Sequence, residues 1–256
     1  MTSGIYGSIF KRLQSKELIL PYFEHAMLAD RWPESYSVLI DSSPYYGHND
    51  GYFHPSSHAM MGARELYYRF HPDTRDLVLI EKRMLQSHMT LAIGSALHGV
   101  LQTQMQMAGL VKPKNIEWEY VNSEHNVRGR IDWIVDHPTG QEIPVEMKTM
   151  NHYKFDKQTE IKPSWDAQLS IGLDNFGADF GILLLVETGY PFHMREFRVP
   201  RNDQLLSEIY RKFDYVRECI ELNTPPKHCC PYDSLTMKAC QARVVCYLAE
   251  EIGESQ

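Results

Sequence analysis

The chain has 256 residues, with 26 Lys and Arg against 33 Asp and Glu, so its formal net charge is −7 when the histidines are neutral. Its 15 Gly and 14 Pro and its apolar fraction of 43% exclude a disordered chain, a collagen-like repeat and a coiled-coil rod. No apolar run approaches the ~18 residues of a membrane span, and the first residues lack the pattern of a secretory leader. We therefore expect a soluble globular protein of the cytoplasm.

Residues 1 to about 53 lack sustained periodicity and predict a short helix or two followed by an irregular arm, after which helical patterns continue to about Leu110. Ser56 or Ser57 is expected to cap a helix that continues through MMGARELYYRF, because a Ser hydroxyl accepts from free amides of the first turn. A second helix is predicted from about Leu79 to Leu110, with Gly94 allowing the close approach of another element.

Five strands follow, rich in β-branched and aromatic residues: IEWEYV, RGRIDWIVD, EIPVEMKTM, GILLLVET and HMREFRV. Helices are predicted at about 164–176, between the third and fourth strands, and at about 202–222, after the fifth. This order predicts an α/β fold with a mixed central sheet flanked by helices. We expect a helical and irregular N-terminal arm over 1–78, a core over 79–222, and a cysteine-bearing tail over 223–256 that packs on the core.

A hairpin turn is predicted at DHPTGQ, between the second and third strands. With Thr139 at its tip, Asp132 lies opposite Glu146, and Lys148 shares their face of the sheet. Two carboxylates about 5 Å apart suit Mg²⁺ or Mn²⁺, whose bound water would act as the nucleophile. The alternative is a cross-strand salt bridge on a solvated face. The other face is apolar, with Ile131, Trp133, Val145 and Met147.

Two further motifs flank this hairpin: GSALHG, which contains His98, and WDAQLSIG, which contains Gln168. The order of motifs over residues 55–246 resembles the RecB-like exonucleases of the PD-(D/E)XK superfamily, including the CRISPR-associated Cas-four nucleases. The resemblance implies a restriction-endonuclease-like core. It also implies one active site built from five matching residues, namely His98, Asp132, Glu146, Lys148 and Gln168.

The resemblance assigns a role to each residue. Asp132 and Glu146 would hold the ion, with the His98 imidazole and the Met147 carbonyl completing its ligands. Lys148 would stabilise charge on the phosphate or help to deprotonate the water, and Gln168 would position phosphate or water.

Two further positions bear on the predicted site, one a glutamate on the first strand and the other a glycine in the helix that contains Gln168. Glu119, on the preceding strand, either supports the ion's ligands or is a solvated strand residue. Gly172 stands where the family has a tyrosine, so the contact which that ring makes with DNA is lost or supplied from elsewhere.

Many of these relatives hold a [4Fe–4S] cluster with three C-terminal cysteines and one N-terminal cysteine. Here the tail carries Cys229, Cys230, Cys240 and Cys246, and the N-terminal part has no cysteine. Three alternatives stay open: a [4Fe–4S] cluster that uses both adjacent cysteines or a histidine, Zn²⁺ with Cys ligands and His228, or buried free thiols. Cys219, in the preceding helix, is expected in the core.

The sequence therefore predicts a divalent-metal-dependent DNA exonuclease that acts in recombination, repair or phage DNA processing. An endonuclease on the same fold and a non-catalytic DNA-processing adaptor with a metal-bearing tail are the alternatives. The expected partner is DNA and not a membrane, with a homo-oligomer or a recombination or repair protein as further partners. The acidic balance is a mild objection, which the basic stretches KRLQSK and HYKFDKQTEIK and the Arg128/Arg130 pair partly answer.

Overall fold

The computed structural model describes residues 17–28, 32–37, 50–78 and 84–247. Its strands β1 to β5 are Ile116–Asn122, Val127–Asp136, Glu142–Met150, Phe180–Glu187 and Met194–Pro200. Its helices α1 to α8 are Leu20–Leu28, Pro55–His58, Ala63–Phe70, Leu85–Met107, His152–Lys157, Pro163–Phe176, Asp203–Glu221 and Leu235–Ala239. None of these described helices has the length and apolarity needed to cross a membrane. The basic stretch at 11–16 and the predicted start of the second helix at 79–83 lie outside the described residues.

The five strands form one sheet in the order β1-β2-β3-β4-β5. β2 and β3 are antiparallel, β3 and β4 are parallel, and β4 and β5 are antiparallel, so the predicted mixed sheet flanked by helices is confirmed. The β2–β3 register runs from Asp136 opposite Glu142 to Trp133 opposite Val145. This is the register that a turn centred on Thr139 predicts.

The sheet buries a separate apolar layer on each face. Alternate residues of β3 and β4, among them Val145, Met147 and Leu184, pack with Leu101 and Met105 of α4 on one face. On the other face, an apolar cluster combines residues of β4 with α5 and α6, including Leu183, Leu185, Phe155, Leu169 and Leu173. This two-layer arrangement follows from the period-2 alternation of strand side chains, and it places α4 and α6 on opposite sides of β3.

Contacts divide the chain into two units. The first holds the described residues within 1–42, Leu85–Tyr120 and Arg130–Arg201, and the second holds those within 43–84, Val121–Gly129 and 202–256. In the second unit, Phe53 stacks on Phe213 of α7 with ring centroids 4.3 Å apart. Each unit combines segments that are separated along the chain. The three consecutive segments expected from the sequence, with boundaries at 78/79 and 222/223, are a different kind of division and stay a prediction.

The helix predicted from Ser56 through Phe70 is wrong as one continuous element. The chain forms α2 and α3 instead, and Gly62 is the N-cap of α3 with φ −68° and ψ 148°. A Cβ at Gly62 would lie 2.7 Å from the Cys229 Sγ atom, so close packing requires glycine here. Ser56 and Ser57 lie inside α2 and cap neither helix.

Candidate active site

The regular pairing of β2 and β3 gives way to side-chain contacts immediately beyond Trp133 and Val145. At this point the Met147 N–H donates to Asp132 Oδ2 at 2.7 Å, so the Asp132 carboxylate lies between the two strands. The Met147 side chain is buried in the core, which fixes the peptide that faces Asp132. The role of the Met147 carbonyl as an ion ligand stays a prediction.

Glu146, Lys148 and Gln168 form a closed hydrogen-bonded triangle on the α6 side of the sheet. The Lys148 Nζ donates to Glu146 Oε1 at 2.6 Å and to Gln168 Oε1 at 2.9 Å. The Gln168 Nε2 donates to the same Glu146 oxygen at 2.6 Å. Because both donors use Oε1, the second oxygen of Glu146 is the one suited to an added ligand. Glu146 is only 3% exposed, so this is a buried carboxylate and not a solvated strand residue.

His98 and Glu117 approach Asp132 from α4 and β1. The His98 Nδ1 lies 3.8 Å from Asp132 Oδ2. One nitrogen of His98 and one oxygen from each of Glu117 and Asp132 all lie within 4.8 Å of one another. Octahedral ligands about 2.1 Å from an ion are about 3 to 4.2 Å apart, so these three atoms need move little to share one ion.

Glu117 was not predicted from the sequence, in which Glu119 was the candidate on this strand. The structure leaves Glu119 exposed. Glu117 has φ 51°, a left-handed backbone that is uncommon for a non-glycine residue and breaks the alternation of side chains at the start of β1. Its carboxylate accepts from Gln102 Nε2 at 2.9 Å and pairs with Arg130 Nε at 3.1 Å. Strand periodicity could not have found a residue whose backbone departs from the strand.

Burial dominates the electrostatics of the two central carboxylates. It raises the pKa of Asp132 to about 6, with Lys148 opposing the shift. Burial and the nearby Asp132 charge raise the pKa of Glu146 to about 7. Burial and mutual repulsion therefore oppose ionisation of both carboxyl groups. A bound divalent cation would offset this repulsion and stabilise the two carboxylates.

The two basic groups respond in opposite directions. Burial lowers the pKa of His98, although Glu146 and Glu117 oppose the shift, so the imidazole is neutral and able to bind an ion. Burial would also lower the pKa of Lys148, but the carboxylates of Glu146 and Asp132 raise it instead. Lys148 is therefore an ammonium that can donate but cannot coordinate an ion.

Gly172 does not face an open surface. It is buried in α6, and a Cβ there would lie 3.1 Å from Ile131 Cγ1 and 4.0 Å from the Tyr120 hydroxyl. A tyrosine therefore has no room at this position. The hydroxyl of Tyr120, from β1, lies beside this position.

The four tail cysteines meet in one pocket of the second unit. Cys229, Cys230, Cys240 and Cys246 all line it. Arg64 from α3 donates to Cys246 Sγ at 3.1 Å, and His228 Nδ1 lies 3.5 Å from the same sulfur. Burial, with the nearby Glu65 charge, raises the pKa of Cys240 to about 12, so its free thiol is protonated.

Further residues lining this pocket are Glu65, Met237, Ala242, Arg243 and Tyr247. Cys219 is buried away from the set that lines the pocket, as expected of a core residue.

No protein-family model matches the sequence, and a comparison with curated proteins gives no match. The fold is similar to that of SSO0001, with 18% identity and a TM-score of 0.45, covering 79% of this chain and 89% of that one.

It is also similar to the alkaline exonuclease LHK-Exo from Laribacter hongkongensis, with 14% identity and a TM-score of 0.39, covering 68% of this chain and 89% of that one. The structure of LHK-Exo in complex with dAMP is similar to this chain with 15% identity and a TM-score of 0.40, and it covers 68% of this chain and 89% of that one. At these identities and TM-scores the likeness assigns no residue and no activity.

Proposed function

We propose that this chain is a divalent-metal-dependent nuclease that hydrolyses phosphodiester bonds in DNA as an exonuclease. The observation that carries the proposal is the convergence of one imidazole nitrogen and two carboxylates, from His98, Glu117 and Asp132, within 4.8 Å. Glu146 is not one of those three residues, but it is buried, is paired with an ammonium and an amide, and is close enough to Asp132 and His98 for their charges to act on its carboxylate. A salt bridge on a solvated surface would need neither the burial nor the histidine.

The donor set fits a hard or borderline divalent ion. Carboxylate oxygens are the ligands that Mg²⁺ and Mn²⁺ prefer, and a neutral imidazole is more readily accepted by Mn²⁺. His98, Asp132 and Glu146 would hold the ion, with Glu117 as an additional ligand. When bound, such an ion supplies charge stabilisation at the phosphate and a water of lowered pKa.

Lys148 and Gln168 would act on the substrate. The Lys148 ammonium is fixed by Glu146 and Gln168, which removes its conformational freedom before DNA binds. From this position it donates to a phosphate oxygen on which negative charge accumulates. Gln168 holds both Glu146 and Lys148, so it orients the carboxylate and the ammonium relative to each other.

Digestion of end-labelled linear DNA and closed circular DNA, each with Mg²⁺, Mn²⁺ or a chelator, tests the proposal. We expect metal-dependent release of nucleotides from linear DNA and none from the closed circle. Cleavage of the closed circle would indicate an endonuclease on the same fold. No hydrolysis of either substrate with either ion would overturn the nuclease assignment.

A matched pair of variants ties the activity to this site. Glu146→Gln removes the buried carboxylate, whereas Glu142→Gln changes an exposed carboxylate on the same strand. We expect hydrolysis to be abolished in the first and retained in the second. Full activity of the Glu146 variant would exclude this site as the catalytic one.

We further propose that the cysteine pocket holds a [4Fe–4S] cluster. Four cysteines line this one pocket, which is the number of thiolates that a [4Fe–4S] cluster takes as ligands. Arg64 donates to the Cys246 sulfur, and a cationic donor at this place would offset part of the negative charge of a thiolate-bound cluster.

Iron, zinc and sulfide analysis of protein prepared without oxygen tests this second proposal. We expect about four irons per chain in the wild type, lost in Cys240→Ser and kept in the control Cys219→Ser. Stoichiometric zinc without iron would replace the cluster with a zinc site, and the absence of both metals would leave the thiols as packing residues.

A further inference from the structure

The segment between Lys148 and Gln168 leaves the proposed site at Lys148 and returns to it at Gln168. We call residues 151–165 the α5 platform, because helix α5 forms its first half. Lys148 precedes it by three residues, Gln168 follows it by three, and these two side chains are hydrogen-bonded at 2.9 Å. Both ends of the platform are therefore anchored beside the groups that would act on the phosphate.

The platform carries two aromatic rings, each with an ammonium beside it. The Lys157 Nζ lies 3.8 Å from the centroid of the Tyr153 ring, and Tyr153 is 67% exposed. The Lys162 Nζ lies 4.5 Å from the Trp165 ring, which packs on the second apolar layer. Aromatic rings beside cationic side chains are the combination that proteins use to stack unpaired bases while contacting the phosphates between them.

The backbone of the platform is held in place before any ligand binds. Asn151 caps α5 by accepting from the Lys154 N–H at 3.0 Å. Arg195 of β5 donates to the Gln158 carbonyl at 2.6 Å and lies 4.7 Å from the Phe155 ring, which is buried beneath the platform. A surface organised in advance loses little conformational entropy on binding.

The charge of the platform opposes that of the whole chain. Residues 151–165 carry three lysines against Asp156 and Glu160, and Arg195 lies beside them, while the full chain has a net charge of −7. The Asp156 carboxylate lies 3.3 Å from His152 Nε2. A local positive excess in an acidic protein suits a polyanion, and rings that must stack on bases suit one whose bases are unpaired.

We infer that the α5 platform binds single-stranded DNA leading into the site, with Tyr153 and Trp165 stacking on bases and Lys157 and Lys162 contacting phosphates. The inference rests on the proposed function and adds the substrate class, a strand whose bases are unpaired next to the bond that is cut. Tyr153 and Trp165 are binding residues in this assignment and take no part in hydrolysis.

Fluorescence anisotropy with a labelled 12-nucleotide oligo-dT, in chelator so that nothing is cut, measures this binding directly. Tyr153→Leu is expected to weaken binding about 10-fold and Tyr153→Phe to restore it, because stacking needs the ring and not the hydroxyl. Tyr232→Leu, which changes a similarly exposed tyrosine of the other unit, is expected to bind as the wild type.

The salt dependence of oligo-dT binding measures the phosphate contacts of the two lysines separately from base stacking. The double variant Lys157→Gln/Lys162→Gln should reduce the slope of log Kobs against log salt by about 1.4, since each phosphate contact of a single strand contributes about 0.7. Lys114→Gln, at an exposed lysine of the same unit, should leave the slope unchanged.

The inference is overturned if Tyr153→Leu and the double lysine variant bind oligo-dT like the wild type. It is also overturned if the wild type does not bind oligo-dT, or if a blunt 12-base-pair duplex loses affinity equally in the variants. Binding in chelator is independent of hydrolysis, so a failed nuclease assay with platform-dependent binding would reject only the proposed function. Hydrolysis that requires Glu146, with unaltered binding in the variants, would reject only the platform.

Discussion

Glu146 keeps a carboxylate in an almost fully buried position at the point where β2 and β3 cease to pair. Because burial and Asp132 raise its pKa to about 7, the side chain holds a proton near neutral pH when no ion is bound. An ion must displace that proton, so binding is coupled to proton release. We expect Mn²⁺ affinity to rise between pH 6 and pH 8. Calorimetry in buffers of different ionisation enthalpy would measure the released protons, and a pH-independent affinity would contradict the assignment.

Glu117 and Glu119 provide a matched comparison on one strand. Glu117 lies within 4.8 Å of the ligand atoms of His98 and Asp132, whereas Glu119 is exposed. We expect Glu117→Gln to weaken Mn²⁺ binding about 10-fold in the absence of DNA, because one anionic ligand is lost, a loss of about 1.4 kcal/mol. Glu119→Gln should leave the affinity unchanged. Electron paramagnetic resonance of free Mn²⁺ would measure both, and equal effects of the two variants would remove Glu117 from the site.

The hairpin pattern was enough to group Asp132, Glu146 and Lys148, whereas His98 and Gln168 were assigned to the same site only through the family resemblance. The turn at DHPTGQ fixed the hairpin register, and the register brought Asp132 close to Glu146 and Lys148. Gly172 shows the limit of such patterns, because its neighbour Ile131 is distant in sequence and only the packing of α6 on β2 reveals that a larger side chain has no room. Glu117 was not predicted for a different reason, because no sequence pattern indicates that its backbone has a positive φ.

At the scale of elements, α4 positions His98 through its close approach to β3. A Cβ at Gly94 would lie 3.0 Å from Thr149 Oγ1, and His98 follows Gly94 by one helical turn. We expect Gly94→Val to lower the free energy of unfolding by about 1 to 3 kcal/mol, because the added methyl groups push α4 from the strand. The same displacement should weaken Mn²⁺ binding. Thermal denaturation and Mn²⁺ titration would measure the two effects.

Removing the Thr149 side chain is the control for this prediction. In Gly94→Val/Thr149→Ala the crowding atom is gone, so part of the lost stability and of the lost Mn²⁺ affinity should return. If the double variant is as impaired as the single one, the damage does not arise from this contact. The strand lengths were predictable from their β-branched residues, but the break between α2 and α3 was not, since the contact of Gly62 with Cys229 joins residues distant in sequence.

For the whole molecule, a net charge of −7 means that DNA meets a repulsive field at long range. At about 0.1 M salt this field is screened beyond about 10 Å, so affinity depends on cations close to the strand. Lys148 and the α5 platform supply such cations within one continuous stretch of chain. Substrate binding is therefore expected to be modest in strength and to weaken steeply with salt.

The free energy of unfolding of the whole chain should depend on pH through its two buried acids. Asp132 and Glu146 have pKa values of about 6 and about 7, above their ordinary values of 3.8 and 4.5. A raised pKa in the folded state stabilises the protein below the ordinary value, and this contribution is lost as pH rises through the folded value. Between pH 5 and pH 8, metal-free protein should therefore lose stability from these two groups. Lys148 has a raised pKa and stays protonated throughout this range, so it adds no pH dependence of its own there.

Glu146→Gln isolates this effect because glutamine does not titrate. We expect the thermal midpoint of the variant, relative to the wild type, to rise by about 5 °C between pH 5 and pH 8 in chelator. The attraction between Lys148 and the ionised Glu146 is already part of the folded pKa of about 7, so it adds no separate pH dependence to this difference. Saturating Mn²⁺ should stabilise the wild type more at pH 8 than at pH 6, because the ion takes the place of the protons. Parallel midpoint curves for the two proteins would mean that Glu146 is ionised throughout, and the ion would then bind without displacing a proton from it.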